Sequence, residues 1–266
     1  MMRIAVAGAG GRMGKEVLRA VTAEDDLQLV CAFDPRLAGQ PLGDVVPELD
    51  MDLIIEGSPE AMMEAGAEAM VDFTNREAAR RNIDVALHNG IAAVVGTTGF
   101  DDRDLANFRS WCEEVGGSCL IAPNFSLGAL LMMKFSVIAA RYMQDCEIIE
   151  LHHPGKLDAP SGTALRTAEL ITLARAEGNA RESSQVPDKP AAESRGKIFK
   201  GIPVHSIRLP GLVAHQEVIF GGQGQILTIR HDSIDRTSFM PGVIFALRHI
   251  SKHPGFTFGL ENWLDI

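Results

Sequence analysis

Cysteine is scarce in this chain: Cys31, Cys112, Cys119 and Cys146 are the only four in 266 residues. None forms a CxxC pair and no histidine stands at zinc-finger spacing, which argues against a structural metal site and a disulfide-stapled secreted scaffold. Long apolar runs are missing too. The stretch at residues 1–8 is too short for a signal-peptide core and runs into glycines. The most apolar later segment, residues 127–143, carries Lys134 and Arg141 and falls short of a spanning helix. Basic charge is in deficit, since 25 Lys and Arg against 35 Asp and Glu leave a net charge of −10. No surplus of cations is available to displace counterions from nucleic-acid phosphates. Internal repeats and low-complexity runs are absent. These absences lead to the expectation of a reduced, cytoplasmic globular protein with neither nucleic acid nor membrane as partner.

What is present alternates. Short, continuously apolar runs predict strands at 3–7, 27–33, 69–73, 91–95 and 118–122, and amphipathic stretches predict helices at 15–21, 76–88 and 102–115. Strands without polar alternation are buried on both faces, so the first half reads as a parallel sheet with crossover helices. The character changes near residues 122–126. A long helix is predicted at 127–143, a strand at 147–153 and a helix from 161 to about 176. Residues 177–201 are polar and aperiodic and read as a mobile loop. Strands follow at 204–209, 216–220 and 225–231, the last two joined by a Gly-rich hairpin, and a final helix spans about 241–251. The fold class is α/β: a parallel sheet with crossover helices, followed by a second part in which helices and strands mix. The predicted boundaries are 1–125, with 233–266 packing back on it, and 126–232.

Gly8-Ala9-Gly10-Gly11-Arg12-Met13-Gly14 lies between the first strand and the first helix. Glycines there permit a tight turn and let the backbone approach a pyrophosphate at a helix N-terminus. Asp34 ends the second strand, at the distance where an acid binds a ribose 2′-hydroxyl. Arg36, two residues on, is either a receptor for the 2′-phosphate of NADP or an ordinary surface arginine. Acid and arginine together suggest tolerance of NADH and NADPH. Gly96-Thr97-Thr98 and Ala122-Pro123-Asn124-Phe125 follow later strands at the carboxyl edge, where they either contact the nicotinamide half or simply form turns.

The densest chemistry is Glu150-Leu151-His152-His153-Pro154-Gly155-Lys156-Leu157-Asp158-Ala159-Pro160-Ser161-Gly162-Thr163-Ala164. His152 and His153 point to opposite faces while a strand continues, so they cannot share a role. Pro154-Gly155 opens a turn that carries Lys156. Ser161-Gly162-Thr163 starts a helix, and its N–H groups and hydroxyls with the Lys156 ammonium make an anion site sized for a carboxylate. Histidines titrate near neutrality and can exchange a proton during turnover. The bland alternative is a polar strand end followed by a helix cap. No metal is needed, because His-His with a neighbouring Lys lacks enough spaced ligands.

The run E-x-H-H-x-x-K-x-D-A-P-S-G-T-A resembles the signature of the 4-hydroxy-tetrahydrodipicolinate reductase family, long called dihydrodipicolinate reductases. The likeness extends, in family order, to V-A-G-A-G-G-R-M-G at the N-terminus, V-D-F-T at 71–74, G-T-T-G-F at 96–100 and N-F-S at 124–126. It implies a Rossmann-like dinucleotide-binding domain with a second, α+β domain for substrate and oligomerisation, NADH or NADPH as cofactor, a cyclic imino dicarboxylate as substrate and a homotetramer. By this resemblance His152 is the proton donor and Lys156 a second donor or charge stabiliser, while His153, Ser161, Gly162 and Thr163 hold a substrate carboxylate. Gly8, Ala9, Gly10, Gly11, Arg12, Met13, Asp34, Gly96, Thr97, Thr98, Ala122, Pro123, Asn124 and Phe125 match nucleotide contacts. Pro123 departs from the pattern and removes one N–H donor; Asp34-Pro35-Arg36 departs from a common Glu-Arg and leaves the cofactor preference open. Two rivals are a dinucleotide sensor that has lost its chemistry and another two-domain oxidoreductase such as an amino-acid dehydrogenase. Neither accounts for the His-His/Lys/Ser-Gly-Thr run.

Overall fold

Continuous Val, Ile, Leu and Ala runs bury both faces only when helices cover a sheet on both sides. The computed structural model describes residues 1–143, 145–177 and 194–265. By compactness the chain divides into one unit of residues 1–125 with 239–265 and a second of residues 126–238.

The first unit contains β1 (Met2–Ala7), α1 (Arg12–Thr22), β2 (Leu27–Phe33), the short α2 (Leu42–Val45) and α3 (Ala61–Glu64), β3 (Ala69–Asp72), α4 (Arg76–His88), β4 (Ala92–Val95), α5 (Asp102–Val115) and β5 (Ser118–Ile121). The second contains α6 (Leu127–Ala140), β6 (Asp145–His152), α7 (Gly162–Glu177), β7 (Lys197–Phe199), β8 (Ile202–Arg208), β9 (Ala214–Gly222) and β10 (Gln225–Ser233). The chain then returns to the first unit with α8 (Met240–His249) and β11 (Gly255–Phe258).

The first sheet has the order β11-β5-β4-β3-β1-β2 and is parallel throughout. Because β2 and β3 flank β1 on opposite sides, a topological switch point lies at the carboxyl end of β1, where open α/β sheets bind ligands. Local rules explain the helices around it. Gly14, Val17, Leu18 and Val21 form the buried stripe of α1. Asn75 caps α4 by accepting from Ala78 N, and Asp101 with Asp104 forms a capping box on α5. The sixth strand, β11, is missing from the sequence reading. Its four residues, Gly-Phe-Thr-Phe, are half-buried or exposed at the sheet edge and show no continuous apolar run. The return to the first unit begins at Phe239 rather than 233, because β10 continues through Ser233. A Cβ on Gly242 of α8 would stand 1.9 Å from the Phe125 carbonyl oxygen, so α8 seats directly on the end of the first segment.

Gly14 has a similar constraint, since a Cβ there would lie 2.0 Å from the Gly8 carbonyl oxygen. Backbone cannot yield as a flexible side chain can. Gly14→Ala is expected to lose about 3 kcal/mol of stability, the upper range for overpacking, measured by urea unfolding.

The second sheet has the order β10-β9-β6-β8-β7, with only β6 and β8 parallel. α6 packs on β9 and β10, and α7 on β6, β7 and β8. The predicted loop at 177–201 lies mostly outside the described residues, and its described end is not irregular. Lys197–Phe199 pairs antiparallel with β8 through Lys200 and Gly201, whose φ values of +48° and +80° suit a tight hairpin turn. Three residues are too few to show a period.

Candidate active site

Each unit carries candidate residues of its own. In the first unit β1 ends at Ala7 and the chain turns at Gly8, whose φ of +74° is open to glycine at little cost. Gly8 N donates to Phe33 O (2.9 Å) and Gly11 N to Gly8 O (2.9 Å), which closes the turn before α1 starts. Asp34 braces the loop from the end of β2. Its Oδ2 accepts from Gly10 N (3.1 Å) and its Oδ1 from Arg36 N (3.0 Å). A Cβ on Gly10 would come within 2.4 Å of Leu37 Cδ1 and 3.0 Å of Asp34 Oδ2, so the loop is a cradle that a side chain would fill. Over it opens a cavity of about 470 Å³ lined by Gly8, Gly10, Gly11, Asp34, Pro35, Arg36 and Leu37, and by Phe73, Thr74, Asn75 and Ala78.

This donor set fits a dinucleotide. The first turn of α1 carries no acid, so its N–H groups face the cradle without a competing carboxylate, as pyrophosphate binding requires. Asp34 and Arg36 border the same cavity, in position for a ribose with or without a 2′-phosphate. Arg36→Ala is expected to weaken NADPH more than NADH, since only NADPH carries that phosphate; paired calorimetric titrations check it.

The other residues matched to nucleotide contacts do not line that cavity. Ala9 is fully buried, Arg12 is exposed and Met13 is half-buried at the start of α1. A Cβ on Gly96 would overlap the Phe73 ring at 2.0 Å, so this glycine makes room for an aromatic side chain. Thr97 is buried: its hydroxyl donates to Asp72 Oδ1 (2.8 Å) and accepts from Thr74 N (2.9 Å). Asp72 also accepts from Asn82 Nδ2 (2.8 Å) and the Thr74 hydroxyl (2.8 Å), and burial pushes its carboxyl up. This network pins the ends of β3 and β4, and Thr97 serves it through its side chain. Thr98 and Pro123 are exposed, Asn124 is half-buried and Ala122 is buried; the buried Phe125 ring packs 5.5 Å from that of Phe73. The sequence reading omitted Thr74, Asn75 and Asp72 from the site; its signal would have been an acid at the end of an otherwise apolar strand.

In the second unit β6 sets the geometry. Glu150 and His152 are two apart and share a face, and the parallel register places Arg208 of β8 opposite His152. Glu150 is fully buried. Its Oε2 accepts from His152 Nδ1 (2.5 Å) and Arg208 Nη1 (2.8 Å), and its Oε1 from Arg208 Nη2 (2.8 Å) and Ser161 N (3.2 Å). Burial alone would raise this carboxyl, but His152 and Arg208 outweigh burial and hold it at about 2. A carboxylate only accepts, so His152 carries its Nδ1 proton toward Glu150 and presents Nε2 away from it.

The strand ends at His152. His153 is exposed beyond it, and its carbonyl accepts from Lys156 N (3.2 Å) across the turn. Lys156 Nζ lies 2.8 Å from Asp158 Oδ1, which keeps the Asp158 carboxyl below its ordinary range. Ser161 is more committed than its motif suggests: its N–H serves Glu150 and its hydroxyl accepts from Ala164 N (3.2 Å). Gly162 and Thr163 open the 16-residue α7, whose first N–H groups have no intrahelical partner. Gly162 is exposed, Thr163 is half-buried, and a Cβ on Gly162 would meet nothing within 4 Å. The arrangement joins an imidazole, an ammonium and a helix N-terminus suited to a carboxylate. No cluster of three His, Cys, Asp or Glu able to hold a metal occurs among the described residues.

Comparison with known proteins completes the picture. The family model described as "Dihydrodipicolinate reductase, N-terminus" matches residues 2–125, and "Dihydrodipicolinate reductase, C-terminus" matches 128–264. A 4-hydroxy-tetrahydrodipicolinate reductase of Streptomyces griseus subsp. griseus is 47% identical, over 100% of this chain and 98% of that protein. The Corynebacterium efficiens protein of the same name is 46% identical, over 100% and 99%. Among solved structures, a dipicolinate-bound dihydrodipicolinate reductase from Paenisporosarcina sp. TG-14 is 37% identical with a TM-score of 0.85, covering 99% of this chain and 100% of that one. An amine dehydrogenase from Mycobacterium smegmatis, 13% identical with a TM-score of 0.64 over 98% and 95% of the two chains, shares the fold alone. Both halves match by family model and the relatives run end to end, so this chain belongs to the dihydrodipicolinate reductase family.

Proposed function

We infer that this chain is an NAD(P)H-dependent 4-hydroxy-tetrahydrodipicolinate reductase, which forms tetrahydrodipicolinate with loss of water in the diaminopimelate route to lysine. The observation that carries the reading is the folding of the family signature into one local site, with His152, Lys156 and the start of α7 tied together through Glu150 and Arg208.

The nicotinamide supplies the hydride. Gly8, Gly10 and Gly11 with the start of α1 hold the pyrophosphate, and Asp34 and Arg36 read the ribose. In the second unit, Gly162 and Thr163 N–H groups and the Thr163 hydroxyl take one substrate carboxylate. Ser161 shapes that loop more than it donates. Lys156 exchanges Asp158 for the substrate, to which it offers positive charge, and His153 borders the same turn. As electrons enter the substrate ring, His152 provides the proton from Nε2.

The assay is nicotinamide oxidation with freshly generated substrate, run in parallel with NADH and NADPH. Both support turnover on this reading; background rates with both would reject it.

The assembly we propose is a homotetramer formed by the second sheet. Ile207 and Ile226 are 40% and 75% exposed, and strand alternation places both on the face opposite His152. Apolar side chains on an open sheet face suit a copy of the same face. Sedimentation equilibrium is expected to give four chains, and Ile226→Lys a smaller species. We place the enzyme in the cytoplasm, where its four buried free cysteines would remain reduced. No helix among the described residues is long and apolar enough to cross a membrane.

A further inference from the structure

We propose that Glu150 and Arg208 are positioning residues for the reduction, and that Arg208 frees His152 to change charge by supplying Glu150 with a permanent counterion. The proposal rests on the reading of His152 as proton donor.

The geometry gives each member a distinct task. Glu150 is 0% exposed, and a buried carboxylate without a paired cation is costly. Were His152 its only cation, each transfer of the imidazole proton would strand that charge, and the site would resist giving the proton up. The Arg208 fork removes this penalty. Its two Nη atoms each lie 2.8 Å from a separate Glu150 oxygen, and guanidinium stays charged at every working pH. Glu150 then fixes the ring of His152 through Nδ1 without depending on imidazolium as its only counterion.

The same two residues place the rest of the site. Glu150 Oε1 accepts from Ser161 N (3.2 Å), which sets the entry to α7. Arg208 donates from Nη2 to Asp158 O (2.7 Å) and from Nε to Lys156 O (3.4 Å), which holds the turn bearing Lys156. One buried ion pair thus fixes the imidazole, the ammonium-bearing turn and the carboxylate-binding helix start relative to one another. Neither residue touches the substrate in this scheme.

The charged neighbours of His152 are few. β6 gives Glu150, β8 gives Arg208, and the turn gives His153 and the Lys156–Asp158 pair. On β9 the nearest titratable group is His215, paired to Asp232 at 2.6 Å on the opposite face of the sheet. The first turn of α7 contains no acid.

The test is the pH profile of kcat/KM for wild type, Glu150→Gln, Arg208→Lys and His152→Gln, with NADH affinity and thermal unfolding measured for each. The wild-type basic limb reports loss of the His152 proton. Glu150→Gln removes the anion that favours imidazolium, so its limb moves to lower pH while kcat falls by up to about 10⁴-fold, as when an orienting carboxylate is lost. Arg208→Lys keeps a charge but loses the fork, so Glu150 leans harder on imidazolium and the limb moves to higher pH. Its KM rises as well, because lysine cannot also hold the Lys156 and Asp158 carbonyls. Opposite shifts with unchanged NADH affinity support the proposal. Limbs that stay put, or move together, overturn it even where stability drops, since a purely structural pair would not move a titration in opposite directions. Should Glu150→Gln fail to fold, the Arg208→Lys limb decides alone: a rise supports the proposal and no rise overturns it. Near-normal kcat in His152→Gln would instead defeat the underlying proton-donor reading.

Discussion

His152→Gln should lower kcat and kcat/KM together by about 10²–10⁴-fold, the range for loss of a general acid that acts in the transition state. Glutamine retains a polar group near Glu150 but has no transferable proton at neutral pH. The partner variant Lys156→Ala should lower kcat and also raise KM, because it removes positive charge from the turn as well as a donor. On the proposed roles the two side chains act on one substrate, from the end of β6 and the turn that follows it, so the double variant should be little slower than the worse single. NADH affinity should barely change in any of them, since the cradle is built entirely from residues of the first unit. A His152→Gln enzyme with near-normal kcat would assign the proton to another donor, with Lys156 the next candidate. Steady-state and single-turnover kinetics, compared side by side, make the distinction.

Gly11→Val should abolish useful dinucleotide binding while the protein remains folded. Gly11 has φ −71° and ψ 159°, an extended conformation open to valine. Its added Cβ would lie 3.1 Å from Gly8 O, tight but within reach of a small adjustment. The branched methyls would then cover the N-terminus of α1, where the pyrophosphate must approach. NADH affinity is expected to fall by about a hundredfold or more, close to 3 kcal/mol, with the unfolding midpoint little changed. Gly14, in the first turn of α1, provides the contrast: substitution there meets backbone at 2.0 Å and strikes the fold itself. Calorimetry on folded Gly11→Val with unchanged NADH affinity would remove the loop from the binding site.

Much of this architecture is legible in the residues because burial on both faces leaves a direct mark. The runs that became β1 to β5 are apolar without alternation, and the turns between them contain the glycines and caps that end helices. β7 and β11 leave no such mark. Three residues at a hairpin and four at a sheet edge take their conformation from neighbouring strands, and their own periodicity is too short to read. Asp34 announced itself by spacing from the glycine loop. Thr74 and Asn75 enter the same cavity from the far side of β1, and only the strand order brings them there.

The substrate half divides in the same way. Glu150 stands in the signature, and its parity with His152 was already in the sequence; its burial and its fourfold hydrogen bonding were not. Arg208 is 58 residues from Glu150 and becomes its partner through the β6–β8 register. Ser161 has bonds that its motif does not announce. A serine before a helix reads equally well as an anion donor or a cap, and here the hydroxyl receives Ala164 N while the N–H is given to Glu150. The hydroxyl proton of Ser161 and the N–H groups of Gly162 and Thr163 are the donors proposed for a carboxylate.

On the proposed reading this chain transfers hydride from a nicotinamide to 4-hydroxy-tetrahydrodipicolinate with loss of water. The most direct measurement is mass analysis of the product formed from fresh substrate and NADH deuterated at the transferable position. The expected product is tetrahydrodipicolinate carrying one deuterium per molecule, formed in step with nicotinamide oxidation and absent without the chain. Oxidation of the nicotinamide with no deuterium in the product, or no tetrahydrodipicolinate at all, would contradict it.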